Sequence, residues 1–395
     1  MNFCWVFGGR NERDVYLNKV RFGLIGGGFG ALIGRVHKMA AELSGSAELV
    51  CGAFSRDPNQ SKKAGVELFG IDPHRSYPDV ETMCLTESAV DESRRAEVMI
   101  VATPNHSHFE IAKQCLNSGF HVVCDKPMTV SVNQAQELAE LVEETGLSFG
   151  LTYNYTGYPM VRHARRMVLD GQLGEIRRVS CEYLQGWLAK DLSENKQAVW
   201  RTDPELAGPS GCFGDIGSHA ENLVSYVSSL EMKEVCADLT RFVPGRRLDD
   251  DGTVLIRFRG GAKGYISASQ IAVGRENDIS LEIYGTQGSM EWKHSDPNSL
   301  LFRSNGEPLK IYRSGGPGEE SASRDHGLPA GHPEGFIEAF SEIYRNFFEN
   351  IREGAQPMFP SVLDGVRGMH FLETVVASSE EGSVWKSLEL SLIHI

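Results

Sequence analysis

The feature that most constrains this chain is a glycine-rich turn close to its start. The run Gly26-Gly27-Gly28-Phe29-Gly30-Ala31 follows the short apolar segment Val20 to Ile25 and leads into Ala31 to Leu43, where apolar residues recur at helical spacing. This order of strand, tight turn and helix matches the G-x-G-x-x-G/A pattern, in which small residues let the backbone approach a diphosphate at a helix N-terminus. We therefore predict a dinucleotide site, against the alternative of a glycine-rich turn without a ligand. The predicted cofactor-binding residues of this turn are Gly26, Gly28, Phe29, Gly30 and Ala31.

Strand-like and helical segments alternate through the rest of the first 150 residues. This alternation is typical of a doubly wound parallel sheet with helices on both faces. We predict an N-terminal extension over 1–18 and a Rossmann dinucleotide-binding domain over 19–150. The further strands are predicted at Glu48 to Phe54, Val98 to Ala102, His121 to Cys124 and Ser148 to Thr152, and the helices at Phe109 to Leu116 and Asn133 to Glu144.

The pattern changes after residue 150, where a predicted helix from Met160 to Leu169 precedes several β-type segments in succession. Successive strands with turn signals between them predict an antiparallel sheet, which helices at Leu223 to Leu230 and Glu334 to Asn350 are candidates to cover. Arg313 to Gly331 is predicted as a long loop. The fold class is therefore α/β plus α+β, with the second domain over 151–395. Its strands are predicted at Ile176 to Tyr183, Val254 to Phe258, Lys263 to Gln270, Ile279 to Tyr284 and Ser289 to Trp292.

Charge and composition exclude several classes of protein. A net charge of −14, from 39 basic and 53 acidic residues, argues against nucleic acid as a partner. No segment approaches about 18 consecutive apolar residues and no signal-peptide pattern is present, so we expect no membrane association and a cytoplasmic location. The eight cysteines include no CxxC pair, which predicts buried thiols and no metal site.

The tip of the second strand bears on the choice between NAD and NADP. Glu48 has roughly the spacing expected of a ribose-binding acid but lies at the start of that strand, whereas Ser55 and Arg56 follow its end. A hydroxyl beside a guanidinium suits a 2′-phosphate. We therefore predict NAD(P) as cofactor and favour NADP, against the alternative of an exposed arginine without a ligand.

Two further strand ends and one helix start supply candidate polar groups. Thr103, Pro104 and Asn105, with His108 nearby, follow one predicted strand, and Asp125 and Lys126 follow the next, so both groups lie at the sheet edge where ligands of open α/β folds bind. Asp215 and His219 are four residues apart in a helical pattern, so both side chains can face one substrate. A histidine with a pKa near neutrality can accept the proton of a hydroxyl during alcohol oxidation. The alternatives are a helix N-cap for Asp215 and a core histidine for His219.

Together these segments resemble the glucose-fructose oxidoreductase, inositol dehydrogenase and rhizopine catabolism (Gfo/Idh/MocA) family. The similarity extends over about residues 20 to 385 and includes Gly285-Thr286-Gln287-Gly288; the lysine-proline motif here is Asp-Lys-Pro, where the family more often has Glu-Lys-Pro. The resemblance implies a Rossmann domain followed by a half-open antiparallel sheet, and a homo-oligomer, a dimer or tetramer. It also implies that Lys126 binds the reacting hydroxyl, that His219 is the general base, and that Asp215 binds substrate and orients the histidine.

The resemblance implies a dehydrogenase acting on a secondary alcohol of a sugar, sugar derivative or cyclitol. Segments around the tryptophans look like those of family members that oxidise pyranoses or anhydrosugars, although core packing is an equal alternative for these side chains. A glycoside-cleaving enzyme with bound nicotinamide and a sensor of the same fold are further alternatives. The substrate candidates are Asn154, Tyr155, Tyr158, Trp187, Trp200, Arg201 and His332.

Overall fold

The computed structural model describes residues 19–190, 192, 195–316, 328 and 331–389. The predicted extension 1–18 and most of the predicted loop between Arg313 and Gly331 lie outside these residues. Among the helices of the described residues, none combines the length and the apolar character needed to cross a membrane.

The N-terminal part is built on a five-stranded sheet in the order β2-β1-β3-β4-β5. All of its strand pairs are parallel, which confirms the predicted doubly wound sheet. The central strand β3 is the apolar run VMIVA and is buried along its whole length, as expected where helices cover both faces. The strands are β1 Val20–Gly26, β2 Ala47–Ala53, β3 Val98–Ala102, β4 His121–Cys124 and β5 Phe149–Leu151, and the helices are α1 Ile33–Leu43, α2 Pro58–Phe69, α3 Val80–Ser88, α4 His108–Asn117 and α5 Val132–Thr145.

The second part contains a nine-stranded sheet in the order β13-β12-β11-β10-β6-β9-β8-β7-β14. The predicted antiparallel arrangement is confirmed except that β6 and β9 run parallel. This exception arises because β6 inserts between β9 and β10, which run in opposite directions, so it must be parallel to one of them. The strands are β6 Ile176–Leu184, β7 Met232–Thr240, β8 Asp251–Phe258, β9 Lys263–Ser269, β10 Asp278–Gly285, β11 Gly288–Lys293, β12 Ser299–Ser304, β13 Lys310–Arg313 and β14 Lys386–Ser387.

Helices cover one face of the nine-stranded sheet. In β8 the side chains of Val254, Ile256 and Phe258 are buried on this face, whereas Leu255 is 49% exposed on the other. The covered face therefore forms the core of this part, and the opposite face remains open. The helices of this part are α6 Pro159–Leu169, α7 Lys196–Arg201, α8 Pro204–Ala207, α9 Ser218–Ser228, α10 Phe336–Glu353 and α11 Val362–Glu380, and a π-helical turn, Phe213–Gly217, precedes α9.

Helix α10, the second-last helix of the described chain, packs against the N-terminal part. Its Phe340, Tyr344 and Phe347 belong to one buried apolar cluster with Phe22 and Leu24 of β1. Just after it, the carbonyl oxygen of residue 360 accepts a 2.7 Å hydrogen bond from the backbone N–H of residue 151 at the free edge of β5. Residues late in the chain thus complete the core around the first sheet.

Several elements had no prediction from the sequence, and α11 shows why. It contains Gly365 and Gly368, which lower helix propensity and obscure the apolar periodicity. A Cβ atom on Gly365 would lie 2.4 Å from the sulfur of Met128, so the glycine permits close packing of α11 against the N-terminal part. Strand β7 was also missed because its charged residues interrupt the apolar alternation. The other unpredicted elements are α2, α3, α7, α8, β12, β13 and β14.

Candidate active site

The glycine-rich turn lies at the carboxyl edge of the first sheet, where its backbone packs closely against neighbouring strands. Gly26 has a φ of +94°, and a Cβ atom there would lie 2.3 Å from the carbonyl oxygen of Ala102. Gly28 donates its N–H to the carbonyl oxygen of Phe54 at 3.1 Å, and a Cβ on Gly28 would lie 2.4 Å from that same oxygen. Both positions therefore exclude any larger residue.

The helix after the turn packs against it through a glycine outside the predicted pattern. Ala31 occupies the third small position of that pattern, but α1 begins at Ile33, and Gly34 makes the close contact with Gly27. A Cβ on Gly34 would lie 2.4 Å from the Cα of Gly27. The small residue that brings the helix onto the turn therefore lies three positions beyond Ala31, within the first turn of the helix.

The start of α1 fits the diphosphate of a dinucleotide. Among the described helices, α2, α3 and α5 have side-chain caps from Asp57, Asp79 and Ser131, whereas α1 has no side-chain cap and no acidic residue in its first turn. Its first backbone N–H groups therefore keep their capacity for an external acceptor, and the helix dipole favours negative charge there. The glycines of the turn let its backbone pack directly against β3, the end of β2 and α1, which brings the helix start to the carboxyl edge of the sheet.

At the end of β2, Ser55 and Arg56 lie beside the turn. The hydroxyl of Ser55 accepts a hydrogen bond from the N–H of Asp57, and the carboxylate of Asp57 in turn caps α2. Arg56 is exposed. Glu48 pairs with Arg21 at the far end of the strand, so it is not placed to bind a ribose at this edge.

The segment after β3 lies at the same edge and contacts the second part of the chain. The amide of Asn105 donates to the carbonyl oxygen of Ala207 at 2.9 Å, at the end of α8. His108 is 1% exposed, and each of its ring nitrogens lies 2.8 Å from a backbone carbonyl oxygen, those of Pro127 and Thr103. Both ring nitrogens of His108 are thus occupied by backbone, which leaves Thr103 and Pro104 as the members of this group nearest to the open edge.

After β4, Asp125 is tied to three structural elements. One carboxylate oxygen accepts hydrogen bonds from the N–H of Lys126 and the hydroxyl of Thr152, and the other lies 3.7 Å from Nε2 of His37 in α1. Burial favours a raised pKa for Asp125, but His37 and the ammonium of Lys126 outweigh burial and hold that pKa below its usual value. The carboxylate stays ionised beneath Lys126.

Lys126 and Asp215 meet across the cleft between the two parts of the chain. The ammonium of Lys126 donates to the Asp215 carboxylate at 3.0 Å and to the Asp215 backbone carbonyl at 2.5 Å. The guanidinium of Arg201 and the amide of Gln270 donate to the other carboxylate oxygen, at 3.1 and 2.9 Å. Burial favours a raised pKa for Asp215, but Lys126 and Arg201 outweigh it and hold that pKa below its usual value.

His219 lies one turn beyond Asp215, in the first turn of α9. Asp215 is in the π-helical turn, so the predicted shared helix face is formed by a π turn joined to an α-helix. His219 is 8% exposed, and its Nδ1 is buried without a hydrogen-bond partner in the described structure. Burial, and then the positive charge of Lys126, lower the pKa of His219 well below its ordinary value of 6.5. The imidazole is therefore a neutral base at physiological pH.

Aromatic residues surround Arg201 and His219. The guanidinium of Arg201 lies 4.2 Å from the ring centroid of Trp200 and 5.8 Å from that of Trp187, which is 37% exposed. The ring of Tyr155 is edge-on to His219, with centroids 5.0 Å apart. The structure thus brings these four predicted residues to one cluster with Lys126, Asp215 and His219.

The other three predicted substrate residues differ in their surroundings. Tyr158 is stacked on Tyr155 and its hydroxyl is 3.0 Å from Nε2 of His294. Asn154 is 1% exposed. His332 is exposed, shortly before α10. The roles of these residues in substrate binding stay predictions.

Sequence analysis missed Gln270 and Asn277, whereas Gln185 and Tyr183 lie in the segment before Trp187 that resembles sugar-oxidising members of the family. Gln270 follows β9, Gln185 follows β6 and Asn277 precedes β10, so three amides lie at one end of adjacent strands, and the Tyr183 hydroxyl donates to Asn277. An isolated Gln or Asn after a strand has no local signature. Only the order of strands in the sheet reveals that they converge.

This architecture, a dinucleotide-type sheet facing a cleft that holds a lysine, an aspartate and a neutral histidine, is that of a nicotinamide-dependent oxidoreductase. Residues 20–153 match a family model described as "Oxidoreductase family, NAD-binding Rossmann fold", and residues 161–291 match the "GFO/IDH/MocA C-terminal domain". The chain belongs to the Gfo/Idh/MocA oxidoreductase family.

Individual relatives cover nearly the whole chain. The uncharacterized oxidoreductase YfiI of Bacillus subtilis is 34% identical over 389 residues, 95% of this chain and 98% of that protein. Levoglucosan dehydrogenase of Pseudarthrobacter phenanthrenivorans is 30% identical, over 55% of this chain and 61% of its own length. Among solved structures, an inositol dehydrogenase homologue complexed with NAD⁺ from Azotobacter vinelandii has a TM-score of 0.90 at 34% identity, over 94% of this chain and 97% of that one.

Proposed function

We propose that the protein is an NAD(P)-dependent dehydrogenase that oxidises a secondary alcohol of a sugar, sugar derivative or cyclitol. The observation that carries the proposal is the contact of Lys126 with Asp215 and the neutral His219 one turn away, in a cleft that begins at the glycine-rich turn. The relatives named for levoglucosan and inositol dehydrogenases support this class of substrate. The aromatic rings of Trp187 and Trp200 suit the apolar face of a sugar ring.

The residues of the cleft have distinct roles in this proposal. A nicotinamide dinucleotide held at the glycine-rich turn and the start of α1 would supply the hydride acceptor for the carbinol carbon. Lys126 donates a hydrogen bond to the reacting hydroxyl and, by its charge, favours loss of the hydroxyl proton. His219 takes that proton through Nε2, because its Nδ1 is buried. Asp215 holds the ammonium of Lys126 in place and balances its charge.

The test is an absorbance screen at 340 nm of the purified protein. NAD and NADP are offered with a panel of pyranoses, anhydrosugars, sugar acids and inositols. Reduction with a subset of the panel is the expected result. Silence across the panel, from a protein shown to bind the cofactor, would contradict the dehydrogenase and leave a glycoside-cleaving enzyme or a sensor of the same fold.

We also propose a preference for NADP. Arg56 is exposed beside the turn, where a guanidinium next to the Ser55 hydroxyl suits a 2′-phosphate, and the carboxylate of Asp57 is turned to the backbone N–H groups at the start of α2. Arg56→Ala is expected to lower kcat/KM for NADP about tenfold and to leave that for NAD nearly unchanged, as for loss of one charged hydrogen-bonding partner. Arg94→Ala, an exposed arginine before β3 at the opposite edge of the sheet, is the matched control. Equal losses with both cofactors would contradict the preference.

The open face of the nine-stranded sheet supports self-association as a dimer or tetramer. Leu255 and Tyr284 are 49% and 40% exposed on this part of the chain. These two side chains are on β8 and β10, with polar side chains of β6 and β9 between them, and protein interfaces commonly have this mixed apolar and polar character. Light scattering of the wild type and of Leu255→Glu tests the proposal, because a charge on this face is expected to yield monomers. A wild type that is monomeric at micromolar concentration would contradict it.

A further inference from the structure

A buried hydrogen-bond network adjoins His219. The hydroxyl of Tyr155 lies 2.6 Å from that of Tyr183 and accepts a 3.0 Å hydrogen bond from Nδ2 of Asn277. Tyr155 is 2% exposed, and burial raises its pKa to about 12, so the hydroxyl keeps its proton. Its ring is edge-on to His219. The orientation of this ring, and so the packing of His219, depends on where the hydroxyl is held.

A second set of contacts connects Gln185 with Asp215 through Trp187 and Arg201. The indole N–H of Trp187 donates to Oε1 of Gln185 at 2.8 Å. The Trp187 ring lies under the guanidinium of Arg201, whose Nε donates to the carboxylate of Asp215. The side chain of Gln185 therefore holds the Trp187 ring, which lies 5.8 Å from the Arg201 guanidinium, beside the closer ring of Trp200 at 4.2 Å.

Two amides join these sets of contacts. Nε2 of Gln185 donates to Oδ1 of Asn277 at 2.6 Å, and the hydroxyl of Tyr183 donates to the same oxygen at 2.6 Å. Gln185 directly follows β6 and Asn277 directly precedes β10, and these strands are paired with Asp278 opposite Leu184. The sheet register thus fixes the two amides side by side. We call Gln185 and Asn277 the amide bracket.

The backbone of Asn277 is also anchored. Its carbonyl oxygen lies 2.8 Å from Nδ1 of His294, whose Nε2 lies 3.0 Å from the hydroxyl of Tyr158. The side-chain oxygen and nitrogen of both amides therefore take part in hydrogen bonds. Removal of one amide would leave several half-buried polar groups unsatisfied, which forces the rings to move.

We propose that the amide bracket is a pair of positioning residues for both halves of the active site. Through Tyr155 it sets the orientation of His219, and through Trp187 it sets Arg201 against Asp215. The catalytic consequence rests on the proposed function, whereas the positioning of His219 does not. The bracket itself contacts neither Lys126 nor His219 among the described contacts, so it acts only through the aromatic rings.

The experiment compares a variant of the bracket and a variant of the tyrosine that it holds with a matched control. Asn277→Leu removes the amide with little change in volume, and Tyr155→Phe removes only the hydroxyl that the amide holds. Asn298→Leu is the control, because Asn298 is a half-buried asparagine of the same part of the chain whose side chain exchanges hydrogen bonds with the backbone of Glu334 instead. Folding of each variant is checked by circular dichroism and by NAD binding.

The first readout needs no substrate. In protein labelled with ¹³C and ¹⁵N at histidine, the ring signals of His219 are assigned by their loss in His219→Asn. Because Tyr155 is edge-on to His219, we expect Asn277→Leu and Tyr155→Phe to shift these signals. We expect Asn298→Leu to leave them in place. Unmoved His219 signals in Asn277→Leu and Tyr155→Phe, or an equal movement in Asn298→Leu, would overturn the proposal.

The second readout is steady-state kinetics with the substrate identified in the absorbance screen. A displacement of about 1 Å can cost up to about a hundredfold in rate, so we expect kcat to fall roughly tenfold to a hundredfold while the dissociation constant of NAD is kept. A loss in NAD affinity alone, with kcat unchanged, would overturn the catalytic part of the inference. If His219 signals move but the wild type oxidises no member of the panel, the bracket stands and the proposed function fails.

Discussion

Asp215 is the residue at which the charges of the cleft are balanced. Its carboxylate accepts hydrogen bonds from Lys126, Arg201 and Gln270. Burial first, and then the charge of Lys126, lower the pKa of the neighbouring His219, whereas the carboxylates of Asp215 and Asp125 oppose this shift. The ammonium that Asp215 holds in place thus adds to burial in keeping the imidazole neutral.

Replacement of Lys126 tests the ammonium group that contacts Asp215 in the cleft. Lys126→Met keeps the length of the side chain and removes its charge, so we expect kcat to fall by about a hundredfold or more, as is usual for loss of a group that stabilises developing charge. Cofactor binding, followed by quenching of protein fluorescence, should be largely kept. Lys113→Met, on the exposed surface of α4, is the control. Normal turnover of Lys126→Met on the true substrate would show that the assignment is wrong.

The pKa of His219 predicts the pH dependence of both activity and stability. Since burial and Lys126 lower this pKa well below 6.5, kcat/KM should stay level as the pH falls through 6.5 and decline only at more acidic pH. The unfolded chain binds a proton at this histidine as the pH falls through about 6.5, whereas the folded chain does not. The free energy of unfolding that His219 contributes should therefore decrease below pH 6.5 until the folded imidazole also titrates.

Two pH series check this prediction. The first is the pH profile of kcat/KM for the wild type. The second is denaturant unfolding of wild type and His219→Asn between pH 5 and 8, where the difference between the two should vary with pH in the stated direction. An activity profile with its acidic limb centred at or above pH 6.5 would contradict the lowered pKa.

The parts of the site that could be predicted are those whose residues belong to a local sequence pattern. Lys126 follows a strand and Asp215 and His219 share a helical repeat, so each carries a local pattern, whereas their meeting in one site was implied by the family resemblance. The amides Gln185, Gln270 and Asn277 converge only because β6 is inserted between β9 and β10. This insertion depends on long-range pairing, which no local segment encodes.

At the scale of elements, the contact between the glycine-rich turn and α1 determines how the cofactor edge is built. Gly34 of α1 meets Gly27 backbone to backbone, and the helix start is left without a side-chain cap. The strand, turn and helix were predictable because their periodicity changes sharply within a few residues. The glycine that makes the contact was not, because a glycine inside a helical pattern has no partner visible in sequence.

Gly34→Ala tests this contact. The added Cβ would lie 2.4 Å from backbone that cannot move freely, so we expect a loss of about 1–3 kcal/mol in the free energy of unfolding, as for overpacking, together with weaker NAD binding. Gly335→Ala, where the nearest atom to an added Cβ is the flexible end of Glu338 at 3.5 Å, is the control. Unchanged unfolding of Gly34→Ala in urea would show that α1 can shift away from the turn without cost.

At the scale of the whole molecule, the first sheet depends on the last helices. Phe340, Tyr344 and Phe347 of α10 share an apolar cluster with β1, and the strand edge at β5 is bonded to residue 360. Burial of a phenylalanine is worth roughly 1.5–3 kcal/mol, so several such side chains amount to much of the stability of an ordinary domain. The sheet is thus not self-sufficient in apolar contacts.

A truncation measures this dependence. The fragment 1–153 contains all five strands of the first sheet but lacks α10, so we expect it to bind a hydrophobic dye and to unfold without a cooperative transition. The full chain is the reference under the same conditions. A fragment that unfolds cooperatively and binds NAD as tightly as the full chain would contradict the prediction.

The return of α10 to the first strand has a consequence for synthesis of the chain. Residues 22 and 347 must both have left the ribosome before the apolar cluster around β1 can close. At translation rates of about 5–20 residues per second, the first strands wait on the order of tens of seconds for the helix that covers them. During that interval the growing chain exposes an apolar surface, so its yield in the cell should depend on the chaperones that bind such surfaces and on the speed at which its last third is translated.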